Sequence, residues 1–215
     1  RRAPLSIHWS NLASARRLLK SFLPMAEVPS TFFMKPGAFA PDFTLPDCDG
    51  HAYSLSNLLS GKKGLLIAFV CNHCPFVTHL AESLGDFADR IAKKGVATVA
   101  ISANDTARYP ADGPDKMGPF ALEVGWQFPY LYDESQEVAK AYAAACTPDF
   151  YLFDAGGRLT YAGQYDDSRP GSGQSPSGAN LAAAVDDLLA GSPTAEPWYP
   201  SSGCSIKWRP GYEPD

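Results

Sequence analysis

The run Leu65 to Cys71, followed by Asn72-His73-Cys74-Pro75, constrains this chain more than any other stretch. Its length and its flanking Lys and Gly residues make Leu65–Val70 a buried strand, and it is far too short to span a bilayer. Pro75 fits the first turn of a helix, where a missing N–H removes no hydrogen bond. That helix is expected to reach about Lys94, where Gly95 ends it. A CxxC therefore sits where a buried strand becomes a helix. Cys71 is expected at the helix N-terminus, where free N–H groups and the helix dipole favour a thiolate. Cys74, one turn inside, can close a disulfide with it. His73, when protonated, adds positive charge that should lower the Cys71 pKa and make the disulfide more oxidising. The competing reading, two small structural thiols of a core, explains the residue types but not their placement.

The segments around this centre alternate between strand and helix. Phe39–Leu45 and His51–Leu55 read as short strands about the turn Asp47–Gly50, and Ser56–Leu59 as a helical turn. Val96–Ser102 is a second buried strand. Asn104–Gly118, rich in Asp, Pro and Gly, reads as an inserted loop before a helix over Pro119–Val124. Phe128–Tyr132 is a short strand, and Ser135–Ala145 a helix with Ser135 as its cap. Asp149–Phe153 and Arg158–Ala162 are strands joined by Asp154-Ala-Gly-Gly157, a hairpin signal. Asp166–Gly178 reads as a polar loop and Asn180–Leu189 as the last helix. Strand–helix–strand repetition implies parallel strands with helical crossovers, and the late hairpin adds an antiparallel edge. The expected fold class is α/β: a thioredoxin fold, a mixed central sheet flanked by helices, with an N-terminal β-hairpin and an insertion before the third helix.

Thr147-Pro148 completes the expected site. In this fold the proline that opens the strand after the long helix is cis, and its loop faces the CxxC. Pro148 directly precedes the strand Asp149–Phe153, so a cis bond is predicted. Thr147 and Pro148 are the candidate substrate-binding residues. Cys146 then lies near Cys71 and Cys74 as a candidate auxiliary thiol, or more plainly as a small core residue. Cys204 becomes a second auxiliary thiol if the tail folds back over the CxxC.

Charge divides the chain. Residues 1–26 carry Arg1, Arg2, Arg16, Arg17 and Lys20 with no acid, a charge of +5, so a net −5 leaves −10 for the remainder. An acidic body argues against nucleic-acid partners. The head, with a helix expected from Ser10 to Leu23, resembles an organellar targeting peptide more than an ordinary surface helix or a docking arm. Five cysteines with one CxxC point to reactive thiols rather than a disulfide scaffold. Three parts follow: an N-terminal extension over residues 1–33, a domain over 34–191, and a coil over 192–215 packed on the domain.

Ala40-Pro-Asp-Phe-Thr-Leu45, Phe69-Val-Cys-Asn-His-Cys-Pro75, Ile101-Ser-Ala-Asn-Asp105, Phe128-Pro-Tyr-Leu131, Cys146-Thr-Pro-Asp-Phe150, Asp166-Asp-Ser-Arg-Pro170 and Gly203-Cys-Ser-Ile-Lys-Trp208 together resemble a known family. It is the thioredoxin-like alkyl hydroperoxide reductase/thiol-specific antioxidant family, and within it the peroxiredoxin-like branch. The likeness covers about residues 36 to 210. True peroxiredoxins place Pro and Thr seven and three residues before the peroxidatic cysteine. Counting back from Cys74 gives Ile67 and Cys71, and from Cys71, Gly64 and Ala68, so the usual peroxide pocket is absent. Thioredoxin's buried acid, six residues before its first cysteine, is replaced by Leu65. His73 stands where disulfide-forming oxidases of the superfamily carry a histidine.

The resemblance and the CxxC imply a thiol–disulfide oxidoreductase, with Cys71 as nucleophile, Cys74 resolving and His73 tuning the potential. Its partners are protein thiols and disulfides or small-molecule thiols. No cofactor and no metal are expected; a four-thiol zinc or iron–sulfur site at Cys71, Cys74, Cys146 and Cys204 ranks last. A peroxide-reducing antioxidant protein is the second reading, and a non-catalytic subunit docked through residues 1–33 the third. The basic head points to chloroplast or mitochondrion, with the cytoplasm as the alternative.

Overall fold

The computed structural model describes residues 27–214. The expected helix at residues 10–23, and with it most of the basic head, lies outside the described residues. In chain order the elements are β1 (Glu27–Pro29), β2 (Thr44–Pro46), β3 (Ala52–Ser54), α1 (Leu55–Leu59), β4 (Gly64–Phe69) and α2 (Pro75–Lys93). They continue with β5 (Val96–Ser102), a 3-10 turn at Pro110–Asp112, α3 (Pro114–Glu123), β6 (Tyr130–Tyr132), α4 (Glu137–Ala141) and β7 (Cys146–Thr147). β8 (Asp149–Asp154), β9 (Leu159–Gly163), α5 (Ala179–Ala190) and β10 (Ser202–Ser205) complete the chain.

The central sheet has the order β6-β5-β4-β8-β9. β4, β5 and β6 run parallel through the crossovers α2 and α3, whereas β8 and β9 pair antiparallel. β4 is buried at every residue because it is covered on both faces. Its alternating side chains feed two cores. Leu66 and Ala68 pack with Val77, Leu84 and Phe87 of α2 and Leu181 and Val185 of α5. Leu65, Ile67 and Phe69 pack with Leu55 and Leu58 of α1 and with Tyr142 beyond α4. The period-2 strand pattern thus meets helical stripes on each side. β2 and β3 form the expected hairpin.

Several expectations are corrected. α3 begins at Pro114, inside the stretch read as loop, because a proline after Gly113 can start a helix as well as punctuate one. α4 begins only after Gln136, which adopts a left-handed conformation (φ 65°) and is buried. Ser135 is therefore not the cap. The Gln136 side chain instead binds the C-terminal segment, donating to the Lys207 carbonyl (3.0 Å) and accepting from the Arg209 amide (2.8 Å). Asp166, at the start of the stretch read as a polar loop, is buried and accepts from the Ser168 and Gly178 amides. The tail is not only coil: β10 pairs antiparallel with β7 on one side and with β1 on the other. β1 therefore attaches residues 27–29 of the expected extension to the domain. Among the described residues no helix is long and apolar enough to cross a membrane.

Candidate active site

The chain leaves β4 at Phe69, and the Val70 amide still donates to Ile101 (2.9 Å), so Cys71 follows directly on the strand ladder. The turn Asn72-His73 then delivers Cys74 as the N-cap of α2. The helix starts at Pro75, so Cys74 rather than Cys71 occupies the expected helix N-terminus. Both thiols are buried, at 1% and 0% exposure.

Cys74 lies at the junction of three groups. In its thiol form it donates to the Thr147 carbonyl at 3.1 Å, and its sulfur stands 2.8 Å from the Cys204 sulfur. The Cys71 sulfur also contacts it, and Cys71 shares a hydrogen with the Thr147 hydroxyl at 3.4 Å. Burial alone would raise the Cys74 pKa. Hydrogen bonds from Cys204, Cys71, Thr147 and the Val77 amide outweigh it and hold this thiol far below its ordinary value. Cys71 moves the other way: its hydrogen bond to Cys74, its burial and the nearby Asp112 charge all favour the proton. The thiolate-favouring contacts, first those of Cys204 and Cys71 and then that of Thr147, thus fall on Cys74, where Cys71 was expected.

Asp112 organises the wall beside Cys71. Its carboxylate is fully buried, accepts from the Asn72 and His73 amides (2.9 and 3.2 Å) and from the Asn104 side chain (2.8 Å). It also pairs with His73 Nδ1 at 2.6 Å, an ion-pair contact off the angle of a good hydrogen bond. That contact raises the His73 pKa against the opposing effect of burial. The His73 ring stacks on Tyr109, with centroids 5.7 Å apart and planes 9° from parallel. Its charge is therefore matched to Asp112, whose carboxylate also favours the proton on Cys71. Tyr130 donates to the Asn72 side chain (3.0 Å) and steadies the turn between the cysteines.

The Thr147–Pro148 bond is cis, as predicted. Thr147 stands against both sulfurs, but its strand edge is occupied: β10 places Cys204 opposite Thr147 and Ser205 opposite Cys146. Cys146 is buried and its thiol donates to the Pro148 carbonyl (3.6 Å) rather than to another sulfur. Burial and the charges of Asp149 and Cys74 push its pKa upward, as for an inert core thiol.

The donor atoms of Cys71, His73 and Asp112 lie within 4.8 Å of one another, close enough to hold a divalent ion, although Asp112 is already engaged by three N–H donors. Asp112 was not identified from sequence, and Asn72, Asn104 and Tyr130, which lie within the family strings, were assigned no role there. Asp112 lies forty residues from the CxxC in a Pro- and Gly-rich segment, and no local pattern marks it.

The sequence model of the AhpC/TSA family matches residues 36–162. A putative peroxiredoxin of Mycobacterium tuberculosis is 33% identical over 115 residues, 52% of this chain and 65% of the relative, so the chain spans about two thirds of that protein. Thiol-disulfide oxidoreductase ResA of Geobacillus kaustophilus is 28% identical over 123 residues, 57% of this chain and 66% of the relative. The crystal structure of an uncharacterized conserved protein from Geobacillus kaustophilus is 48% identical, covers 88% of this chain and all of that one, and superposes with a TM-score of 0.84. The chain belongs to the AhpC/TSA family of the thioredoxin-like superfamily.

Proposed function

We propose that this chain is a thiol–disulfide oxidoreductase whose working dithiol is Cys71 and Cys74. The observation that carries the reading is the buried N-cap sulfur of Cys74, in contact with other thiols and lying against Thr147 of the cis-proline loop. Such a thiolate attacks one sulfur of a disulfide RS–SR′, forming a mixed disulfide and expelling R′S⁻, which takes a proton. Cys71 then attacks the Cys74 sulfur, and its proton passes to the departing RS⁻. The Cys71–Cys74 disulfide forms, RSH leaves, and two electrons have passed to the substrate. The reverse sequence oxidises a dithiol. This divides the labour differently from the sequence expectation: Cys74 attacks and Cys71 resolves, because thiolate-stabilising contacts converge on Cys74.

The substrates in this reading are protein disulfides or small-molecule thiols, and the chain acts in the organelle implied by its basic head. Localisation of a fluorescent fusion with and without residues 1–26 checks the latter. The chemistry is tested by alkylation and intact mass of protein equilibrated across a glutathione series. A two-electron transition, abolished in Cys74→Ser, and labelling of Cys74 before Cys71 at pH 6 are expected. If all thiols stay free in oxidising buffer, the reading falls. Rapid two-electron oxidation by hydrogen peroxide, with water released, would move the chain to the peroxidase reading that its Mycobacterium relative's name suggests.

A further inference from the structure

β10 occupies the place against Thr147 that an external partner's backbone would need. Its position is tightly specified. Gly203 lies on the Thr147 carbonyl so closely that a Cβ there would overlap it, so only glycine allows this approach. The next residue, Cys204, is buried and pairs with Thr147 in register. Its sulfur is 2.8 Å from Cys74, a contact closer than two thiols need for packing yet short of a covalent bond of about 2.05 Å. Bonds on both sides hold the strand there. Ser201 donates to Gly163 (2.6 Å), Ile206 to Ala145 (3.1 Å) and Lys207 to Asn104 (2.8 Å), while β1 covers the outer edge.

We propose that β10 is a built-in disulfide partner of the site, with Cys204 bonding to Cys74 so that the centre has two disulfide states, Cys71–Cys74 and Cys74–Cys204. This rests on the thiol–disulfide reading above. Starting from the Cys71–Cys74 disulfide, Cys204 loses its proton and attacks the Cys74 sulfur. The Cys74–Cys204 bond forms, the Cys71–Cys74 bond breaks, and Cys71 departs as a thiolate that takes up a proton. One disulfide replaces another, so no oxidant is consumed. From a mixed disulfide on Cys74, the same attack releases the substrate thiol and resolves the intermediate without Cys71. An external strand and β10 compete for one edge and one sulfur, and the Cys74–Cys204 state locks the edge closed.

The test is a disulfide map of the full chain, equilibrated in oxidised glutathione, blocked with an alkylating agent and read by peptide mass. Cys71→Ser is expected to lose two free thiols and yield a peptide pair joining Cys74 to Cys204. The double variant Cys71→Ser/Cys204→Ser is expected to hold one glutathione on Cys74. Gly203→Ala, which forces β10 outward, should cut the Cys74–Cys204 yield at least severalfold and leave Cys71–Cys74 formation intact. Glutathione retained on Cys74 in Cys71→Ser, with Cys204 free, overturns the proposal while leaving the Cys71–Cys74 oxidoreductase standing. Absence of any disulfide in the wild type removes the oxidoreductase reading itself. If Cys71→Ser does not fold, the wild type decides: a Cys74–Cys204 pair supports the proposal, and Cys71–Cys74 alone overturns it.

Discussion

At Asp112 one buried carboxylate receives two main-chain amides and a side-chain amide and pairs with a histidine. Replacing it should act on both shape and charge. In Asp112→Asn the His73 pKa is expected to fall towards its ordinary value, measurable by NMR titration of the ring protons. The sign of the stability effect follows from linkage. A histidine whose folded pKa is raised contributes stability that is complete below its unfolded pKa and is lost as pH rises through the folded value. The variant should therefore lose more stability at pH 5.5 than at pH 8, read by denaturant melts at the two values. The CxxC was legible from sequence because its spacing and its place after an apolar strand are local. Asp112 was not, since a loop residue becomes a site residue only when the chain folds back on itself.

At the scale of elements, β8 carries a second buried acid. Asp149 is 1% exposed, and burial pushes its pKa up to about 7 despite the hydrogen bond from Tyr151. The folded chain then holds a proton that the unfolded chain releases between about pH 4 and 7. Stability should fall as pH rises across that window, by up to about 1.4 kcal/mol per pH unit. Asp149→Asn, which keeps an acceptor for Tyr151, is expected to flatten that slope, measured by urea unfolding at pH 5 and pH 8. The element itself was easy to read: Asp149–Phe153 and the hairpin turn at Asp154–Gly157 were marked by apolar residues and paired glycines. α4 was harder, because the buried left-handed Gln136 delays its start in order to hold a segment seventy residues away.

At the scale of the whole molecule, the C-terminal segment closes the structure over its own reactive centre. Lys207 and Arg209 are tied to Asn104 and Gln136, and their bonds hold β10 in place. Truncation after Ile206 removes these ties while leaving Cys204 present. It is expected to lower Tm by several degrees, consistent with about 1 kcal/mol or more lost in a domain of this size, and to speed alkylation of Cys74 severalfold. Calorimetry and timed mass spectrometry check the two effects. Faster alkylation without a large Tm change would show that β10 gates the thiol rather than supporting the fold.

The sequence by itself determined the strand–CxxC–helix junction, the parallel crossovers and the late hairpin, since each depends on residues close together in the chain: apolar period, turn glycines, proline placement. Which cysteine is acidic, which acid stands beside it and which thiol faces it were decided only by tertiary structure. Cys74, Asp112 and Cys204 are separated by dozens of residues, and the pKa of each thiol depends on dehydration and donors that exist only after α2, the Asn104–Gly113 loop and β10 have packed together.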